Sequence, residues 1–373
     1  MSGTTATSTV LGPRALNRAL LSRQLLDRRS AMTAAQAVEH LVGLQSQAPL
    51  PPYYALWNRL ADFAPDHLGR LLLDRSAVRI ALMRGTIHLV TADDCLELRP
   101  LLQPVLERGA RGNHGRRIGA ADPAELAEAG RALVERRPMT FDELGRLLAE
   151  RWPGGVPGSL AATVRSLVPL VQPPPRGVWG RGGPAVHTTA ESWLGRPMAA
   201  APSVDRMVLR YLAAFGPATI RDVQTWSGLT RLREVADRLS GCLVRFQAAD
   251  GAELLDLPDA PRPDPEAPVP VRLLGEFDSV LLGHADRSRI MSEPARARLF
   301  TVNGIVRSTV LLDGFAAGTW TVATSAGTAT LTVELFDADC AAHESAIAEE
   351  GGRLLEFAAP RAARREVRVR TAG

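Results

Sequence analysis

Val78-Arg79-Ile80-Ala81-Leu82-Met83-Arg84-Gly85-Thr86-Ile87-His88-Leu89-Val90 decides how this chain is read. Two apolar runs, 78–83 and 87–90, flank a turn at Gly85, the pattern of two short strands. What precedes it is helical. Leu16, Leu20, Leu21, Leu25 and Leu26 form a near-helical stripe. Thr33 is a candidate N-cap for a helix over 34–44, stopped by Pro49, Pro51 and Pro52. Residues 56–63 and 65–73 read as further helices. Helices followed by a strand pair is the order of a winged helix-turn-helix unit.

The order recurs. Residues 123–136, 140–151 and 160–171 read as helices, and 178–180 and 185–188 as a wing about a Gly-rich turn. A third cycle has helices over 204–215, 219–227 and 230–239, the last a candidate recognition helix. Strands over 243–247 and 253–257 then flank Asp250-Gly251, a hairpin signal. The expected class is α+β, with three tandem winged-helix units over 13–118, 119–200 and 201–260. A single mixed domain with coincidental helix–hairpin alternation is the simpler alternative. A Pro-rich linker, 258–270, leads to a strand-rich C-terminal region over 268–373. Strands over 271–277, 299–302, 305–312, 318–324 and 328–335 predict a small antiparallel β-barrel or curled sheet. A helix over 340–349, the segment 354–357 and a basic tail close the chain.

The 373 residues carry 44 basic side chains, all arginine, and a formal net charge of +4. An anionic partner fits this balance. Without lysine, no side-chain amine can form a Schiff base with a sugar aldehyde. Arginine stays charged and offers phosphate a planar fork of donors. The three cysteines, Cys95, Cys242 and Cys340, and the seven histidines are scattered without metal-ligand spacing, so no metal and no cofactor is expected. Sparse, odd cysteines fit a reducing cytoplasm. Residues 1–12 are small and polar, lack an apolar signal core, and are expected to be disordered. Aromatic residues make up 5% and form no stacking series, which argues against a general single-strand binder.

Nucleotide-binding loops, zinc-protease and serine-hydrolase motifs are absent. The most unusual local feature is Gln45-Ser46-Gln47. In a helix, side chains two apart point about 200° from each other. If the backbone opens toward Pro49, they share a face. Two converging carboxamides offer donors and acceptors without charge, fit to hold a water or polarise a sugar. The plainer reading is a polar helix end on the surface.

Larger stretches carry a resemblance. They are Gly43-Leu44-Gln45-Ser46-Gln47-Ala48-Pro49, Arg84-Gly85-Thr86-Ile87-His88-Leu89-Val90, Phe277-Asp278-Ser279-Val280-Leu281-Leu282-Gly283-His284-Ala285-Asp286-Arg287, and Val310-Leu311-Leu312-Asp313-Gly314-Phe315 followed by Gly318-Thr319-Trp320. In order and combination, the chain resembles the AlkZ-like DNA glycosylases, in the winged-helix superfamily that also holds the YcaQ-like crosslink glycosylases. The resemblance implies three winged helices and a β-barrel arranged around a concave DNA-binding surface. It also implies a catalytic Gln-x-Gln motif, falling on Gln45 and Gln47. The YcaQ-like branch has an acidic residue where this chain has Gln47. That departure favours the AlkZ-like branch, often associated with self-resistance to DNA-alkylating natural products. The implied partner is double-stranded DNA bearing alkylated purines. A cytoplasmic monomer is expected, and the missing lysine predicts release of the base without cutting the strand. A noncatalytic winged-helix DNA-binding or regulatory protein is the alternative.

Candidate DNA contacts are Arg84, at the hairpin turn; Arg111, Arg116 and Arg117, in a basic Gly-containing loop; and Arg181, in the second wing. Arg231 and Arg233, at the third recognition helix, join them, as do His284, Arg287 and Arg289. The His284 segment reads equally as a buried polar network. His88, between Ile87 and Leu89, reads as a structural histidine.

Overall fold

The computed structural model describes residues 9–371 and is a mixed α+β protein with three sheets. Local chemistry starts and stops many helices. Thr33 caps Ala34–His40 in a capping box with Gln36, and Thr219 does the same for Ile220–Ser227 with Asp222. Gly228, at φ 82°, ends the latter helix in the left-handed conformation that glycine adopts without a Cβ clash.

The third cycle follows its expected order. Helices Val204–Phe215, Ile220–Ser227 and Arg233–Arg238 precede the antiparallel strands Val244–Ala248 and Glu253–Asp256, joined through Asp250-Gly251. A parallel strand, Val10–Leu11, adds to this pair. It replaces the disorder expected for residues 10–12; residues 1–8 lie outside the described residues.

The first two cycles do not keep separate wings. Their strands form one six-stranded sheet in the order Leu44–Gln45, Ile87–Thr91, Ala77–Ala81, Leu170–Val171, Val186–Thr189, Met139–Thr140. The junction is the pairing of Ile80 with Val171. The expected strand at 178–180 is a turn. Tyr53 holds it there, donating its hydroxyl to Gly177 O at 2.8 Å and accepting from Trp179 N at 2.9 Å. Residues 170–171, read as a helix end, supply the strand instead.

The expected β-barrel is an open five-stranded sheet ordered Arg272–Leu274, Thr309–Leu312, Phe315–Ser325, Thr328–Leu335, Arg364–Thr371. The first three pairings are antiparallel and the last is parallel. The outer strands are not paired with each other among the described residues. The basic tail forms the last strand because Val367 and Val369 alternate with arginines and pack on the core. Helix Glu344–Ala358 covers the sheet through Ile347, Leu354 and Leu355, and absorbs the separate segment expected at 354–357. Leu299 closes helix Glu293–Leu299 rather than opening a strand.

Buried arginines knit these parts together. Arg59 donates to both carboxylate oxygens of Asp278, and Arg23 to both of Asp256. Such a bidentate pair satisfies its charges where water is excluded.

Candidate active site

The site begins where helix Ala34–His40 stops early. Val42 and Gly43 take φ of 55° and 91° and turn the chain into the sheet. A Cβ at Gly43 would lie 2.6 Å from Val90 Cγ1, so only glycine fits. The expected helix to residue 44 is thereby shortened. Leu44–Gln45 instead forms a strand antiparallel to Ile87–Thr91, with Gln45 opposite His88.

Both carboxamides of the motif are held by one segment. Arg84 Nη2 donates to Gln45 Oε1 at 3.0 Å, and the Ile87 N–H donates to Gln47 Oε1 at 3.1 Å. A guanidinium and a backbone N–H can only donate, so each oxygen faces its partner and each NH2 group faces away. Gln45 is 9% exposed, whereas Gln47 is open to solvent. Ser46 points into the fold: Arg79 Nε donates to its Oγ at 2.9 Å and Arg79 Nη2 to its carbonyl at 2.8 Å. Ser46 N in turn donates to Ile87 O.

Arg84 was expected to meet phosphate. It turns inward instead, from a φ of 56°, and its Nη1 donates to Trp226 O at 2.8 Å. Desolvation, aided by nearby Arg287, lowers its pKa to about 10. His88 is buried, with Nδ1 3.0 Å from Thr86 O, so that nitrogen carries the proton. Burial, with Arg84 beside it, holds its pKa down at about 3.

His284 and Arg289 are likewise corrected from DNA contacts to interior groups. His284 Nε2 donates to Phe215 O at 3.0 Å, and Arg289 Nη1 to Pro217 O at 2.7 Å. The intervening turn folds inward because Asp222 accepts from Ala285 N, while Tyr211 donates to Gly283 O. Burial first, then Arg289, lowers the His284 pKa to about 3 against the pull of Asp222. Arg287 is half-buried, its guanidinium 4.6 Å from the Phe300 ring centre.

Arg111, Arg116, Arg117 and Arg181 are exposed. Arg111 lies on helix Gln103–His114, and Arg116 and Arg117 on the 3-10 turn Gly115–Arg117, not in one loop. Arg231 and Arg233 are exposed but pair with Glu234 and Glu253 at 3.4 and 2.8 Å. The sequence reading missed Arg79. Its signal was a charge inside the apolar run Val78-Arg79-Ile80. It also missed a groove of about 570 Å3 that begins at Ala48, one residue past Gln47, between Pro49–Tyr54 and the C-terminal region at Arg307, Trp320 and Glu334.

Among the described residues, no group of three or more His, Cys, Asp or Glu side chains is placed to hold a metal, and no helix is long and apolar enough to cross a membrane.

The two depressed histidines make stability pH-dependent. Their folded pKa of about 3 lies below the unfolded value, so the unfolded chain takes up protons first as pH falls. Stability present above about pH 6.5 is then lost on acidification, by up to about 1.4 kcal/mol per pH unit for each histidine. Urea midpoints should fall from about pH 7 to about pH 5, and less steeply in His284→Gln. An unchanged slope in that variant would remove His284 from the account.

The site thus holds two uncharged carboxamides on a chain with many exposed arginines. The chain belongs to the DNA glycosylase AlkZ-like family, whose model matches residues 38–357, and it is a DNA glycosylase. This sets aside the noncatalytic alternative. It is 26% identical over 331 residues to an interstrand DNA cross-link repair glycosylase of Streptomyces sahachiroi, covering 81% of this chain and 85% of that protein. Its fold is similar to the solved structure of Streptomyces sahachiroi DNA glycosylase AlkZ, with a TM-score of 0.78 at 22% identity, covering 98% of this chain and all of that one.

Proposed function

We propose that this glycosylase hydrolyses the N-glycosidic bond of bulky alkylated purines in double-stranded DNA, N7 and N3 adducts and interstrand crosslinks included. In this reading it acts as a monomer in the cytoplasm, in DNA repair or in self-resistance to a DNA-alkylating natural product. The exposed arginines, Arg111, Arg116, Arg117 and Arg181 among them, meet phosphates. Arg231, Arg233 and Arg287 add to that surface in the same reading. Gln45 and Gln47 act at the reacting nucleotide.

The observation that carries the reading is the shared anchoring of both carboxamide oxygens, which leaves two NH2 groups as donors. An N7- or N3-alkylated purine is cationic and departs as a neutral base. As the C1′–N9 bond breaks, its electron pair moves into the purine ring and C1′ takes on oxocarbenium character. Water bonds to C1′ and gives its proton to solvent. Such a leaving group needs hydrogen-bond donors rather than a strong acid, and a normal purine is left uncut. The groove beside Gln47 gives a bulky substituent room outside a closed base pocket.

The test is a duplex carrying one bulky N7-alkylguanine, with N7-methylguanine and undamaged duplex beside it. The expected products are an abasic site and a released modified base of the adduct's mass, from the bulky lesion foremost. Excision of N7-methylguanine alone would overturn the assignment to bulky lesions.

A further inference from the structure

Arg84 is an expensive residue to place where it lies. Its φ of 56° is a conformation that L side chains seldom adopt, although Gly85 stands next to it. Its guanidinium is desolvated, and no carboxylate lies within ion-pair distance among the described residues. A packed aliphatic side chain would fill the space without that penalty. What the guanidinium does touch is specific: Nη2 donates to Gln45 Oε1, and Nη1 to Trp226 O near the C-terminus of helix Ile220–Ser227. A cation suits that helix end.

We infer that Arg84 is a positioning residue for Gln45: it fixes which way the carboxamide faces and holds its NH2 group toward the reacting nucleotide. A carboxamide rotated half a turn presents its oxygen where its NH2 had been, at little cost unless a neighbour discriminates. Arg84 discriminates, because it can only donate. Its charge also polarises the amide and makes the outward N–H groups better donors. The second bond ties that orientation to the third helix cycle, so strand and helix together set the donor's place. This rests on Gln45 acting at the nucleotide, as proposed above.

A double-mutant cycle tests it. Single-turnover excision at saturating enzyme, Kd for the damaged duplex, and melting temperature are measured for Arg84→Ala, Gln45→Ala, the double variant, Arg84→Lys and Gln45→Glu. Arg84→Ala should slow excision by about 10- to 100-fold, the scale of a misplaced catalytic group, with Kd within about twofold. The double variant should be no slower than Gln45→Ala, because both changes remove one function. Arg84→Lys should recover part of the rate, since an ammonium also only donates. Gln45→Glu keeps the partner of Arg84 but replaces the outward NH2 with oxygen, and should be as slow as Gln45→Ala. That variant keeps the test open if Arg84→Ala does not fold. Wild-type excision by Gln45→Ala would sink the underlying site reading. A slow Gln45→Ala with a fast Arg84→Ala or Gln45→Glu, or with losses that multiply in the double variant, would sink the positioning role alone. A raised Kd with an unchanged saturated rate would return Arg84 to the phosphate contacts.

Discussion

Gln45→Ala and Gln47→Ala should each slow single-turnover excision by about 100- to 1,000-fold, the loss typical of one preorganised donor at a developing charge. Affinity for undamaged duplex should stay near that of the parent protein. The separation follows from what the side chains can do. A neutral amide releases no counterions, so it supplies little of the attraction to a phosphate backbone. In the proposed mechanism its donors act as electron density builds on the departing purine, in the transition state. The two variants differ in their structural cost. Gln47 is exposed, and its loss frees one backbone donor at Ile87. Gln45 is nearly buried, and its loss leaves a guanidinium without one of its acceptors. Melting temperature must therefore be read beside the rates, with a larger fall for Gln45→Ala. Excision at the parent rate by both folded variants would take the motif out of the mechanism.

Legibility tracked the range of the interactions. The third helix cycle was readable because its signals are local: the Thr219 cap, Gly228 after the helix, and Asp250-Gly251 in the hairpin. The second wing was not, because Tyr53, more than a hundred residues away, decides the course of 177–179. The tail's alternation Arg364–Thr371 was visible as a charge run, but its strand exists only through pairing with Thr328–Leu335. At the site, Gln45 and Gln47 stood out by resemblance, and spacing alone would have left them on a surface helix end. Arg84 and Arg289 read as surface groups, and His284 stayed open between surface and interior, since their acceptors, at Trp226, Pro217 and Phe215, come from distant elements. Buried arginine is systematically misread from sequence here. With no lysine in the chain, arginine serves both the exterior and the interior, and composition cannot separate the two.

The same absence of lysine sets the second large effect: excision should leave the DNA strand intact. A glycosylase that also cuts the strand uses an amine, which bonds to C1′ as the base leaves and becomes a Schiff base. That intermediate permits β-elimination of the 3′ phosphate. Among the 373 residues no side chain carries such an amine. Arginine does not substitute, since its guanidinium stays protonated and is a poor nucleophile; even half-buried Arg84 keeps a pKa of about 10. The glutamine amides are not nucleophilic either, and the proposed mechanism has water supply the oxygen bonded to C1′. Borohydride added during turnover should therefore trap no protein–DNA adduct, while a lysine-dependent glycosylase run in parallel does. Strand breaks should appear only after alkali or an abasic-site endonuclease, in amounts equal to the base released. A robust adduct with the purified protein would overturn water as the sole nucleophile. Mapping that adduct to an α-amino terminus would identify that amine as the group that attacks.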